Sequence, residues 1–430
     1  MSKVKLADIE NAFQPAKEAT KAERFAGRED AVKDAYLALI SDGAHIAVIG
    51  NRGIGKTSLA RQIANIAKGD NSLLEKLELR HDDPLEFLTV YLACGNNIGS
   101  TEALLERLLT SRDCLGDWIY DVPRAKEVMR SYSPKFGVNL AAVRVELGGE
   151  KQSKEELAPA IATDDVENVF TNVVSSICAS DKIPENGILI IVDEFDQIKD
   201  PTGFARFLKA IATNVPKVKF CLVGVAQDIA FLMKEHQSSD RLFAGAVVPL
   251  PPMDDDELQE IIAIAEKSVA QSITFTETAK ARVISLAQGH PYMVHLIGKY
   301  AFRLAYERGD ASIDASDIDD TLRSIAERGA DPILEARYKK AVAASEQREI
   351  VLKCLAESQR PKDAEIWTTE AYKLALDRGV ENASQYVGQL VSEEYGTEVE
   401  KLRERVYRFH DSLFAAYVCA RPSLVPKRQA

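Results

Sequence analysis

Hydrophobic positions along this chain fall into two regimes. In the first 250 residues, short apolar runs alternate with stretches of helical spacing. The runs are residues 45–49, 85–92, 188–192, 218–223 and 246–250, each of strand length and the third fully apolar, as in a strand buried on both faces. Ahead of the first run Ala31, Ala35, Leu37 and Ile40, and between later ones Leu59, Ile63 and Ile66 and then residues 204–211, read as helices. Strands alternating with helices predict an α/β fold, a parallel sheet with helices on both faces. Past Pro251-Pro252 the pattern turns helical. Asp254 caps a helix with Glu257 as its capping-box partner, and Leu258, Ile261, Ile262 and Ala265 form the apolar stripe. No strand pattern shows from there to residue 330, and the remainder mixes helices with one β-like stretch at 406–409. Residues 1–22 read as a polar arm with a single apolar spot, Ala12-Phe13. Residues 100–160 read as a mostly helical, polar insertion. Its alternating piece at 138–147 suggests a small β-unit, and 148–156 an exposed loop.

The candidate chemistry sits at the ends of two of these runs. After the first comes Gly50-Asn51-Arg52-Gly53-Ile54-Gly55-Lys56-Thr57-Ser58, a glycine turn between a strand and a helix. Glycines let the backbone wrap an anion with its N–H groups pointing inward. Lys56 adds a point charge for β- and γ-phosphates, and the Thr57 hydroxyl suits Mg²⁺. The third run ends in Asp193-Glu194. A carboxylate at that strand tip can hold the metal, and Glu194 next to it can polarise an attacking water. The bland alternative is a core strand followed by a solvated acidic turn. Because the sheet is parallel, both motifs fall at the carboxyl ends of strands, where such folds bind ligands.

Composition narrows the class further. With 430 residues the chain has room for two or three domains. No apolar stretch approaches the roughly 20 residues of a membrane span, and no signal-peptide pattern opens the sequence. Six scattered cysteines and six histidines show no metal spacing, which points to a reducing, cytoplasmic setting without structural metal. A net charge of −12 disfavours a protein that coats nucleic acid. Residues 331–430, however, carry 16 basic and 16 acidic residues, so a local basic face remains open there.

The order of these pieces resembles the AAA+ and STAND ATPases, in the branch of origin-recognition initiators and bacterial or archaeal switch ATPases. Phe25-Ala26-Gly27-Arg28-Glu29 resembles the F-x-G-R-E motif that lies against adenine, and Gly289-His290-Pro291 the G-x-P motif that touches nucleotide from a lid. Residues 407–417 resemble the close of a winged-helix domain. The resemblance implies an N-terminal arm (1–23), a P-loop core (24–252), a helical lid (253–330) and a winged-helix domain (331–425). It also implies ATP at the core–lid junction with Mg²⁺. Arg28, His290 and Pro291 would contact nucleotide, Gln227 would stand near the sensor position, and Arg241 would be a candidate arginine finger, with a surface arginine as the alternative. Gln227 falls one residue late for a sensor, which favours a slow switch over fast turnover. Function would then lie in assembly as a homo-oligomer or in control of a partner effector, in bacterial stress or phage defence. Alternatives are a DNA-binding initiator or transposition ATPase, and a nucleotide-locked scaffold.

Overall fold

The polar arm of the sequence reading is a packed element. Leu6–Ala12 forms helix α1, and Phe13 at its end is fully buried. The Phe13 ring meets Phe302 edge-on at 5.0 Å and Phe275 at 6.1 Å, and Arg303 makes a two-pronged ion pair with Glu10. A single apolar spot in a polar stretch carries no periodicity, so the sequence shows the anchor but not its depth.

In the computed structural model, residues 5–95, 98–132, 166–225, 242–360 and 364–424 are described. The chain divides into two units. One comprises residues 29–50 and 56–249, the other residues 1–28, 51–55 and 250–430. The suggested β-insertion at 138–147 and the loop at 148–156 lie outside the described residues, as do Gln227 and Arg241.

The sheet unit starts with α2 (Glu29–Ile40), β1 (Ile46–Gly50) and α3 (Lys56–Ala67). Then come α4 (Ser72–Lys76), β2 (Leu88–Ala93), α5 (Thr101–Thr110), α6 (Asp117–Asp121) and α7 (Pro123–Tyr132). It closes with α8 (Val166–Cys178), β3 (Ile188–Asp193), α9 (Phe204–Asn214), β4 (Val218–Gly224) and β5 (Val247–Leu250). The strand order is β2-β3-β4-β1-β5, and the pairs β2/β3, β3/β4 and β1/β4 are parallel. Every residue of β3 and β4 is buried, which is why neither run alternates and β3 is apolar up to its final Asp193. Phe170, Phe204, Phe207 and Phe220 pack ring against ring beside them.

His45 and Lys219 are polar side chains built into this core. His45 lies between the carbonyl of Leu208, 3.1 Å from Nε2, and the N–H of Phe220, which donates to Nδ1 at 3.2 Å. Lys219 Nζ donates to the carbonyls of Ala38 (2.9 Å), Leu39 (2.8 Å) and Ser41, closing the C-terminus of α2 where the helix dipole favours a cation.

The other unit is mainly helical: α10 (Asp255–Ser268), α11 (Glu277–Ala287), α12 (Pro291–Arg308), α13 (Ala315–Arg328), α14 (Pro332–Val342) and α15 (Glu346–Glu357). The capping box at Asp254 and Glu257 is present. Two strands absent from the sequence reading, β6 (Thr274–Phe275) and β7 (Ser312–Ile313), pair in parallel; two residues are too few to show a period. Next come β8 (Ile366–Trp367), α16 (Thr368–Asp377), α17 (Ala383–Leu390), β9 (Val399–Arg403), β10 (Val406–Phe409) and α18 (Ser412–Ala420). Strands β8, β10 and β9 form an antiparallel sheet in that order. One continuous apolar core runs from α1 to α18, and the buried Glu335 joins α14 to the chain end by accepting from Tyr417 and Arg421.

Candidate functional site

The phosphate-loop sequence folds into the turn its glycines permit. Gly53 (φ +71°) and Gly55 (φ +100°) take the left-handed region that a side chain would strain. A Cβ at Gly55 would meet nothing within 4 Å, so the backbone there is open to a close approach. Lys56 and Thr57 open α3 at the carboxyl end of β1, and Lys56 Nζ donates to the Gly50 carbonyl at 2.9 Å. Backbone N–H groups at a glycine turn that leads into a helix N-terminus form an anion site.

In the same sheet, Asp193 ends β3 and is 2% exposed. Both its oxygens are engaged. Oδ1 accepts the Glu194 N–H at 2.8 Å, and Oδ2 accepts the Tyr91 hydroxyl at 2.6 Å. Glu194 takes a left-handed backbone conformation (φ +55°) and is exposed, turning its side chain off the strand axis. β1 and β3 run the same way with β4 between them, so Lys56, Thr57, Asp193 and Glu194 share one end of the sheet. The hydroxyl and carboxylate oxygens are hard ligands that fit Mg²⁺, and the ammonium group pairs with phosphate oxygens.

In the other unit, the loop turn Asn51–Gly55 is held by Arg28 and by Leu413. Arg28 is buried with its own left-handed backbone (φ +65°). Its guanidinium donates to the carbonyls of Pro251 (2.6 Å) and Ile54 (3.1 Å), and the Gly27 N–H donates to Glu260 at 2.7 Å. His290 is buried near the Arg52 backbone, which favours its protonated form. Burial pushes its imidazole down to about 4, and Nδ1 has no hydrogen-bond partner among the described residues. Gly289 (φ +80°) cannot carry a side chain, because a Cβ would lie 2.5 Å from Pro252. Pro291 begins α12, at the first helical position where proline is favoured. Leu413, on α18, packs on the turn itself: a Cβ at Gly53 would stand 2.9 Å from its Cδ2.

Sequence reasoning missed Tyr91, Leu413 and Arg61, whose guanidinium lies 3.6 Å from the Tyr91 ring centre. The one signal for Tyr91 is a phenol near the end of a mostly apolar run. The described residues contain no cluster of three or more metal-ligating side chains, and none of their helices is long and apolar enough to cross a membrane.

The model of one family, Novel STAND NTPase 1, matches residues 12–317. No curated protein matches the chain. Among solved structures, the Walker-type ATPase PABY2304 of Pyrococcus abyssi is 13% identical with a TM-score of 0.49, covering 94% of this chain and 98% of that one. Cdc6p from Pyrobaculum aerophilum is 12% identical with a TM-score of 0.44, covering 96% of each. The Aeropyrum pernix ORC1 protein, solved in complex with DNA, is 13% identical with a TM-score of 0.40, covering 92% of each.

Proposed function

Because the chain belongs to the novel STAND NTPase 1 family, we propose that this STAND-type P-loop ATPase works as a slow switch that uses ATP and Mg²⁺. The loop N–H groups and Lys56 bind the β- and γ-phosphates, and Thr57 with Asp193 would hold the metal. When bound, Mg²⁺ offsets negative charge on the phosphate oxygens. Glu194 orients a water toward the γ-phosphate and takes its proton.

One observation carries the switch reading. The turn Asn51–Gly55 is contacted by Arg28 and by Leu413 of the C-terminal helix. A phosphate that shifts this turn therefore acts directly on side chains far along the sequence, which is how a local ligand event gains a larger readout. We read residues 331–425 as a winged-helix domain that carries this readout to an oligomer interface or a partner effector, in defence or stress. Arg241 is our candidate for a finger acting on a neighbouring copy. Duplex DNA is the weaker alternative. The short helix α17 carries no lysine or arginine, and the β9–β10 arginines Arg403 and Arg408 already pair with Glu365 and Glu400.

The test is Glu194→Gln. Hydrolysis should fall by roughly 10² or more, the usual scale for losing a general base, while ATP binding persists. Particle mass is then measured with no nucleotide, ADP and ATP. Assembly that requires ATP and persists in the variant supports the switch, and identical mass and partner binding in every nucleotide state rule it out.

A further inference from the structure

We propose that Tyr91 is a positioning residue for Asp193, fixing the carboxylate in the orientation from which it holds Mg²⁺. This rests on the reading of Asp193 as the metal-holding carboxylate. In the β2/β3 register Tyr91 stands opposite Ile191, so Asp193 is its diagonal neighbour two residues on, on the same face. An aromatic side chain spans that diagonal, and the 2.6 Å hydroxyl contact shows that it does. With Oδ1 on the Glu194 N–H, the carboxylate can no longer rotate without breaking a bond. Each oxygen keeps a further lone pair for a metal or its water.

The ring is itself held. Arg61 lies over its face at 3.6 Å. Arg61 belongs to α3, the helix that Lys56 and Thr57 open. Arg61 and Tyr91 thus connect the helix bearing the Thr57 hydroxyl to the strand bearing the Asp193 carboxylate. The two oxygen donors are held in one register before any metal arrives, as outer-shell hydrogen bonds do at metal sites.

Tyr91→Phe removes the hydroxyl and keeps the ring under Arg61. Binding of a fluorescent N-methylanthraniloyl ATP analogue to the full chain is titrated with Mg²⁺ and repeated in EDTA, with melting temperature measured alongside. The Mg²⁺ concentration for half-maximal tight binding should rise about 10-fold or more, the usual effect of losing an outer-shell partner, while affinity in EDTA is unchanged. A Mg²⁺ dependence equal to wild type overturns the proposal, as does an equal loss of affinity in EDTA. If Tyr91→Phe does not fold, Arg61→Gln takes its place: a smaller rise in the same direction supports the proposal, and no rise overturns it. Wild type and Asp193→Asn both binding the analogue without regard to Mg²⁺ would instead remove the underlying reading of Asp193, a result distinct from a normal wild type beside an unaffected Tyr91→Phe.

Discussion

His45 shows how single residues in this protein are specified by their surroundings. It is 1% exposed, and burial pushes its imidazole down to about 4 from an ordinary 6.5. Nδ1 accepts the Phe220 N–H, so protonation there would set donor against donor. Between pH 6.5 and about 4 the unfolded chain binds more protons than the native one, so stability falls as the pH drops through that window. The full loss for His45 is about 3 kcal/mol, since one pKa unit corresponds to about 1.4 kcal/mol. His45→Gln should reduce, without abolishing, the slope of unfolding free energy between pH 6.5 and 4.5, read from urea midpoints, since His290 is lowered to about 4 as well; an unchanged slope would assign the titration elsewhere. The positions of the candidate phosphate turn and of its strand-end carboxylate were legible, because a glycine turn between strand and helix and an acid closing an apolar run both show in the pattern. Their supports were not. Tyr91 lies 102 positions from Asp193, and only the strand register brings them together.

Among elements, the parallel sheet was readable from its apolar runs, although β2 starts at Leu88 and not at residue 85. The run there begins before the strand because Leu85 and Phe87 are buried by the approach to the sheet. Helix α1 was the least readable element, because its burial depends on one aromatic ring and an ion pair across 293 positions. Phe13→Ala should destabilise the helical unit by about 3–5 kcal/mol, the usual cost of emptying a buried phenylalanine site. Gly298→Ala should reproduce part of that loss, since its Cβ would stand 2.6 Å from the Phe13 ring. Thermal unfolding of both variants checks this, and wild-type stability in Phe13→Ala would mean the arm is dispensable.

For the molecule as a whole, composition and pattern read as successive domains, yet the chain leaves one compact unit for the other and returns within residues 50–56. A five-residue exchange is invisible to any sequence window, because its meaning lies in what touches it. Leu413 is the clearest case, 360 positions from Gly53 and buried against it. Leu413→Ala should loosen the turn and speed ADP release severalfold, with the melting temperature lowered as for other leucine truncations. Stopped-flow displacement of a fluorescent ADP analogue measures it, and an unchanged release rate would separate the C-terminal helix from nucleotide control. Lys219 offers a different kind of handle. The residue is 7% exposed, and its amine donates to three carbonyls at the end of α2. Amine-reactive labels should therefore modify surface lysines at once and reach Lys219 only when the sheet opens. Mass spectrometry of that one peptide would record the opening rate of the sheet unit, and a nucleotide that tightens the fold would appear as a slower clock.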